Sequence, residues 1–169
     1  PSCELNADLT RKANIDATKV LIECAKQAGT QRFIYASTCS LYGFTDEKEV
    51  NENSPLNPLT AYSKSKEDCE KMIKEETSSN FETVCLRKAT LYGPSPRMRF
   101  DLVVNTMTGS AISNGEIIIN GGNQWRPFLH VEDSADAYVF MVEAESSVIN
   151  GEIFNVGSNE QNLKIVDLA

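Results

Sequence analysis

Arg32-Phe33-Ile34-Tyr35-Ala36-Ser37-Thr38-Cys39-Ser40-Leu41-Tyr42-Gly43 opens as an apolar run and closes in a cluster of hydroxyl side chains. A short apolar, aromatic run of this kind, bounded by turn residues, predicts a buried strand over 32–37. In parallel α/β sheets ligands sit just beyond the carboxyl ends of the strands. Thr38 is therefore placed to hydrogen-bond a substrate oxygen.

About twenty residues further on, Ala61-Tyr62-Ser63-Lys64-Ser65-Lys66 falls in a segment that reads as helix. Tyr62 and Lys66 stand four apart, so both side chains leave one face about a turn apart. A free tyrosine holds its proton to about pH 10. A fixed ammonium nearby favours the phenolate and lowers that value, giving a hydroxyl able to trade a proton near neutral pH. Lys64 points away and reads as solvated. A Tyr-x-x-x-Lys string by itself also describes an ordinary helix-surface pair, and here the hydroxyl-rich strand end gives it context.

With these motifs the chain resembles the extended short-chain dehydrogenase/reductase family, in particular its NAD-dependent nucleotide-sugar epimerases and dehydratases. The resemblance runs through Asn14-Ile15-Asp16-Ala17-Thr18, Arg32 to Gly43, and Asn57-Pro58-Leu59-Thr60-Ala61-Tyr62 to Lys66. It continues in Leu86-Arg87, Leu91-Tyr92-Gly93-Pro94, Arg126-Pro127-Phe128-Leu129-His130-Val131-Glu132-Asp133 and Asn155-Val156-Gly157. It implies a partial doubly wound, Rossmann-like α/β fold with a parallel sheet and part of a small C-terminal substrate domain. Residues 1–93 would be the C-terminal half of the NAD-binding domain, and 94–169 a mixture of substrate-binding segment and returning Rossmann elements. The family's glycine-rich pyrophosphate loop has no counterpart in the sequence. The nearest glycine pair, Gly121-Gly122, reads as a turn. The 169 residues are accordingly expected to be the middle of a longer enzyme.

The pattern of elements agrees with α/β. Residues 14–28 predict a helix with Ala17, Leu21, Cys24, Ala25 and Ala28 on one stripe, stopped by Gly29. Thr45–Pro58 is polar and rich in Pro and Asn, a loop. A helix is expected from Pro58 to about Thr77, with Tyr62, Lys66, Cys69 and Ile73 on one face. A buried strand follows over Phe81–Ala89, then a helix over Asp101–Ser113 and short strands over Glu116–Asn120 and Phe128–Val131. Ser134–Glu145 reads as a helix with Ala135, Tyr138 and Val142 inward, and Gly151–Val156 as a last strand. Alternating strands and helices imply a parallel sheet covered on both faces.

Composition narrows the function. Apolar content of 41% and charged content of 24% are those of a globular domain. Acidic residues outnumber basic ones, 24 to 16, for a net charge of −8, so the basic footprint of a nucleic-acid binder is missing. No apolar run approaches bilayer length. The five cysteines, at 3, 24, 39, 69 and 85, form no C-x-x-C pair; Cys24 and Cys69 on apolar helix faces and Cys85 in an apolar strand read as small buried thiols, in keeping with a reducing cytosol. With one histidine, His130, metal-ligand spacing is absent.

The resemblance carries roles residue by residue. Tyr62 would be the acid/base, Lys66 its electrostatic tuner and ribose ligand, Thr38 the hydroxyl orienter, and Ser37 a further contact on the cofactor, NAD. Asn14 either supports the site or caps a helix. Arg126 would anchor the substrate diphosphate, for which a guanidinium fork is suited. Thr90, Arg97, Arg99 and Asn105 are further substrate-binding candidates, although relatives carry asparagine where Thr90 stands. Trp125 closes the pocket or is a loop aromatic; His130 packs a strand end and Asp133 caps a helix. Subfamilies differ at the two positions after Thr38. Dehydratases place Asp-Glu there, decarboxylating relatives a carboxylate at the second position, and C3/C5 epimerases a cysteine at the second. Cys39-Ser40 supplies none of these, which leaves plain hydride chemistry.

The leading expectation is an NAD-dependent nucleotide-sugar epimerase acting at C4, a cytoplasmic homodimer in its full-length form through helices such as 14–28 and 60–77. An NAD(P)-dependent reductase or dehydrogenase of a small ketone or alcohol, and a non-catalytic binding descendant of the fold, are the alternatives. A partial sheet leaves a strand edge open. The isolated 169 residues are therefore expected to melt broadly and at low temperature by circular dichroism. A cooperative, high-temperature transition overturns that expectation.

Overall fold

The structure, a computed structural model, describes residues 2–44, 49–119 and 121–169. It divides into two compact units, residues 1–87 with 140–155 and residues 88–139 with 156–169.

The first unit begins with α1 (Ser2–Leu5) and α2 (Ala7–Arg11), the latter capped by Asn6, whose side chain accepts from Leu9 N at 2.9 Å. A π-helical turn, Lys12–Asp16, leads without a break into α3 (Ala17–Gln27). Gly29, at φ +73°, ends that helix as expected. Strand β1 (Arg32–Thr38) passes into a 3₁₀ turn (Cys39–Tyr42). Helix α4 (Ala61–Glu75) and strand β2 (Glu82–Lys88) follow. The unit is completed by the C-terminal end of α6 (Val131–Glu143), α7 (Ser146–Ile149) and β5 (Glu152–Val156). The parallel sheet runs β1-β2-β5. Its core joins Ile22, Tyr35, Cys69, Ile73, Phe81 and Cys85.

The second unit contains β3 (Thr90–Tyr92), α5 (Val103–Asn114), β4 (Trp125–His130), most of α6, β6 (Asn162–Lys164) and α8 (Ile165–Leu168). Strand β4 pairs in parallel with β3 and antiparallel with β6, over a core of Met107, Phe128 and Ile165.

Several sequence-based boundaries shift for local reasons. Helix α4 starts at Ala61, not Pro58, because Thr60 and Ser63 form a reciprocal capping box. On α3, Leu21 is 59% exposed and Cys24 is exposed, while Thr18 and Ile22 are buried. The stripe Ile15-Thr18-Ile22-Ala25 has equally good helical spacing, and it is the one facing the core. Helix α6 starts at Val131 rather than Ser134. The imidazole of His130 accepts from Glu132 N at 3.3 Å, so His130 caps the helix and Asp133 lies in its first turn. With that earlier start Ser134 and Met141 turn inward, and Ala135 and Val142 are exposed. Residues 116–119 form no strand, since no ladder partner meets them among the described residues; Asn120 lies outside those residues, as do 45–48 of the predicted loop.

Two contacts missed by pattern reading tie the first unit together. Arg32 pairs with Glu82 at 2.8 Å and donates through Nη1 to the carbonyls of Met141 and Val142, closing the C-terminal end of α6. Gly43 adopts φ +63°, and a Cβ there would lie 2.0 Å from the carbonyl oxygen of Asn57. Asn57 N donates to Leu41 O at 2.9 Å, so the base of the intervening loop is clasped at this point. Gly43→Ala is expected to destabilise the fold by about 2–3 kcal/mol, read as a lower denaturation midpoint with an unchanged slope.

Candidate active site

The first unit holds Asn14, Ser37, Thr38, Tyr62 and Lys66. Helix α4 packs against β1 and against the turn that follows it. Thr38 ends β1 in extended backbone; its Oγ1 accepts from Ser40 N at 3.2 Å and lies 3.0 Å from Ser40 Oγ. These bonds hold the hydroxyl at the carboxyl end of the strand, the place where α/β sheets receive ligands.

Lys66 Nζ donates to Ala36 O at 2.8 Å and to the Tyr35 hydroxyl at 3.1 Å. It stands 4.5 Å over the Tyr35 ring and 5.8 Å from the Tyr62 ring centre. The ammonium thus serves two tyrosines of different character. Tyr35 is buried, and burial pushes its hydroxyl well above the usual tyrosine range. Tyr62 is half-buried on the first turn of α4, so it is the one of the two that a ligand can reach.

Asn14 sits within the π-helical turn and is not a helix cap. Its Nδ2 donates to Ser65 Oγ at 2.8 Å, and Ser65 Oγ donates to Tyr62 O at 2.8 Å. The carboxamide therefore braces the turn of α4 that carries the tyrosine. Ser37 is buried, its hydroxyl donating to Glu70 Oε1 at 2.5 Å. Cys39 points back into the sheet, where its thiol donates to Arg87 O at 3.0 Å. Burial pushes this thiol up to about 12, against the pull of Arg87. It is a protonated group at neutral pH and no base.

Behind these residues lies a polar network that sequence reading did not predict. Glu70 and Arg87 are 4% and 3% exposed and meet in a forked ion pair of 2.7–3.2 Å. Arg87 Nη1 also donates to the Tyr42 hydroxyl at 2.9 Å, and that hydroxyl donates to Asn155 Oδ1 at 2.7 Å. Burial opposes the Arg87 charge, but the bonds to Glu70 and Tyr42 more than offset this and the net shift is upward. The available signal was an arginine in the apolar run Thr83-Val84-Cys85-Leu86-Arg87, a position that demands a buried partner.

The second unit holds Thr90, Arg97, Arg99, Asn105 and Arg126. Thr90 opens β3 opposite Phe128. Arg97 is exposed, and Arg99 makes a two-pronged bond to Asp101 at 2.9 and 2.6 Å, which holds that carboxyl down at about 2. Asn105 is buried; its Oδ1 accepts from Gly93 N at 3.4 Å and its Nδ2 donates to Arg99 O at 3.2 Å. Its carboxamide shapes these two loops. Arg126 is exposed on β4, paired in register with Leu163. Trp125 is 55% exposed, with Lys164 Nζ 5.6 Å over its ring. The pair Gly121-Gly122 forms the expected turn, in which Gly122 N donates to Gln124 Oε1 at 3.0 Å.

A profile described as the NAD dependent epimerase/dehydratase family matches residues 2–157. The human protein named dTDP-D-glucose 4,6-dehydratase is 31% identical over 158 residues, covering 92% of this chain and 43% of the relative. A Bacillus subtilis protein named as an uncharacterized UDP-glucose epimerase, YtcB, is 32% identical over 159 residues, covering 92% and 49%. Among solved structures, MoeE5 in complex with UDP-glucuronic acid and NAD superposes with a TM-score of 0.81 at 27% identity, covering 92% and 51%. The chain belongs to the NAD dependent epimerase/dehydratase family. It spans about half the length of the relatives it matches. No described helix is long and apolar enough to cross a membrane.

The residues present fit one half of the family's cofactor. A phenol and an ammonium a helical turn apart suit the ribose and nicotinamide end of NAD, whereas the sequence offers no glycine-rich cradle for its pyrophosphate. The thiols provide a test of the site's burial. A thiol reagent at neutral pH is expected to modify Cys24 rapidly, and Cys39, Cys69 and Cys85 only upon unfolding. Rapid labelling of Cys39 in the native chain would overturn the geometry given for it.

Proposed function

We propose that this chain carries the proton-transfer site of an NAD-dependent epimerase of a nucleotide-activated sugar, acting at C4. The observation that carries the reading is the pair Cys39-Ser40 after Thr38. Cys39 offers a protonated thiol turned into the sheet, and a serine hydroxyl is a poor base toward a carbon acid. A dehydratase must remove a carbon-bound proton and expel a hydroxyl, and for this it needs a second acid/base pair. Identity does not choose between the readings, at 31% to a named dehydratase and 32% to a protein named as an epimerase; the absence of acidic groups at 39 and 40 disfavours dehydration.

NAD, when bound, supplies the acceptor for the C4 hydride and returns it. Tyr62 takes the proton from the C4 hydroxyl as the carbonyl forms and gives it back afterwards. Lys66 favours the phenolate and offers its ammonium to the cofactor ribose. Thr38 orients the same sugar hydroxyl. Arg126 holds the diphosphate while the keto sugar turns its other face, so that binding energy remote from C4 keeps the intermediate in place. Thr90, Arg97 and Arg99 are proposed to line the sugar and phosphate side. We place the enzyme in the cytoplasm on the strength of its free thiols. We also propose a homodimer through α3 and α4, supported by the exposed Val20 and Leu21.

The test is turnover of UDP- and dTDP-hexoses by the full-length protein with NAD. The expected product is the C4 epimer, and a 4-keto-6-deoxy sugar would favour the dehydratase instead. Tyr62→Phe is expected to retain NAD binding while turnover falls by about 10²–10⁴-fold. Unchanged turnover would remove Tyr62 from the mechanism.

A further inference from the structure

Residues 37 and 38 divide the end of β1 between them. Adjacent side chains of a strand point to opposite sides, so Thr38 and Ser37 leave the backbone in opposite directions. Ser37 is 4% exposed and its hydroxyl donates to Glu70 Oε1 at 2.5 Å. On α4 the residues Tyr62, Lys66 and Glu70 follow one another at i, i+4 and i+8, along one slowly turning helix face. The Ser37–Glu70 bond therefore joins the residue beside Thr38 to the helix that carries Tyr62 and Lys66.

Helix α4 has a second tie to the same strand, from Lys66 Nζ to Ala36 O at 2.8 Å. Its ammonium is also the group that would turn toward the cofactor ribose. A tie made by that group changes when a ligand engages it. Glu70 is under no such demand. Arg87 grips its carboxylate through Nε and Nη2 at 2.7–3.2 Å, fixing Oε1 where the Ser37 hydroxyl meets it. Arg87 is itself fixed through Tyr42 and the Glu52 carbonyl. Ser37, Tyr42, Glu70 and Arg87 are all buried, and all belong to the first unit.

From this arrangement we infer that Ser37 is a positioning residue, not a cofactor contact: its bond to the Arg87-held Glu70 sets the register of α4 on β1 and thereby the spacing of Thr38, Tyr62 and Lys66. The inference rests on the reading of Tyr62 as the acid/base. It concerns geometry that exists before any ligand binds, so it can be measured without turnover. Misplacing a reacting group by about 1 Å can cost on the order of 10²-fold in rate. A hydroxyl that only filled space would carry no such penalty.

The experiment compares the full-length protein with its Ser37→Ala form, both carrying ring-labelled tyrosine, by NMR across the alkaline range. The Tyr62 signal is assigned by its loss in Tyr62→Phe. In Ser37→Ala the Tyr62 signal is expected to shift and its titration midpoint to rise by about 0.5 unit, as Lys66 holds the phenolate less closely. The signals of Tyr92 and Tyr138 in the second unit are expected to stay in place. In turnover, kcat is expected to fall about tenfold or more with KM for NAD little changed. Ser37→Thr, which keeps the hydroxyl in a β-compatible side chain, is expected to restore the midpoint and most of kcat. Should Ser37→Ala not fold, Ser37→Cys keeps the volume with a weaker donor and carries the same expectation in smaller measure. A lower Tm with an unmoved Tyr62 signal, midpoint and kcat overturns the inference, as does failure of Ser37→Thr to restore them. A Tyr62 midpoint in the parent protein no lower than that of a free tyrosine tells instead against the acid/base reading of the site.

Discussion

The Glu70–Arg87 ion pair is the constraint on which the first unit depends. Taking two charges out of water is costly, and the mutual attraction repays it only when the geometry is good and the remaining polar atoms are satisfied. Both conditions hold here. The guanidinium meets both carboxylate oxygens and passes its remaining bonds to Tyr42 and the Glu52 carbonyl, while Ser37 satisfies the carboxylate from the other side. No buried side-chain nitrogen or oxygen among the described residues lacks a partner. Removing either charge would strand the other, at a cost of about 3–5 kcal/mol. Apolar replacement of both members of a buried pair is often neutral in stability, but it would not specify which residues of strand and helix face one another. Polar contacts of fixed length do that, and the elements joined here are those on which Thr38, Tyr62 and Lys66 stand.

Much of this was legible in the sequence. The strand over 32–37, the helix with Tyr62 and Lys66, the stop at Gly29 and the burial of Cys69, Ile73 and Cys85 follow from period and punctuation, because one buried face repeats at the spacing of its element. What pattern could not settle was phase and partnership. On α3 two stripes share the same spacing, and hydrophobicity favours the wrong one, since Leu21 is the larger apolar residue and Thr18 is the one the core accepts. The start of α6 turned on an imidazole acting as a cap, a role more often filled by Ser, Thr, Asp or Asn. Arg87 was visible as an arginine in an apolar strand, but Glu70, seventeen residues earlier on a helix, gave no local sign of being its partner.

The candidate site shows the same division. Residue type and spacing singled out Tyr62 and Lys66, yet which groups the ammonium touches is a tertiary matter. Lys66 lies between a buried tyrosine and an accessible one, nearer the buried ring. Burial raises the proton affinity of Tyr35 and so keeps that phenol neutral, which leaves the field of the ammonium available to Tyr62. The two tyrosines near one lysine thus differ in their access to solvent. A similar argument applies to Cys39: its half-buried thiol donates to a strand carbonyl, and burial pushes its proton affinity up.

Overall identity does not separate the two reactions in this chain: a protein named as a dehydratase is 31% identical and one named as an epimerase 32%. Identity of 31% spread over 92% of the sequence is a total over the whole fold. The choice between dehydration and epimerisation rests on a few side chains at the end of one strand, which add little to such a total. A fold hosts many reactions, and function is argued from the site. At residues 39 and 40 the acid and base required for elimination are absent, while the hydroxyl, phenol and ammonium required for reversible oxidation at a single carbon are present in one unit. The scaffold is shared with dehydratases; the proton inventory at the end of β1 is what supports the proposal of an enzyme with one acid/base group.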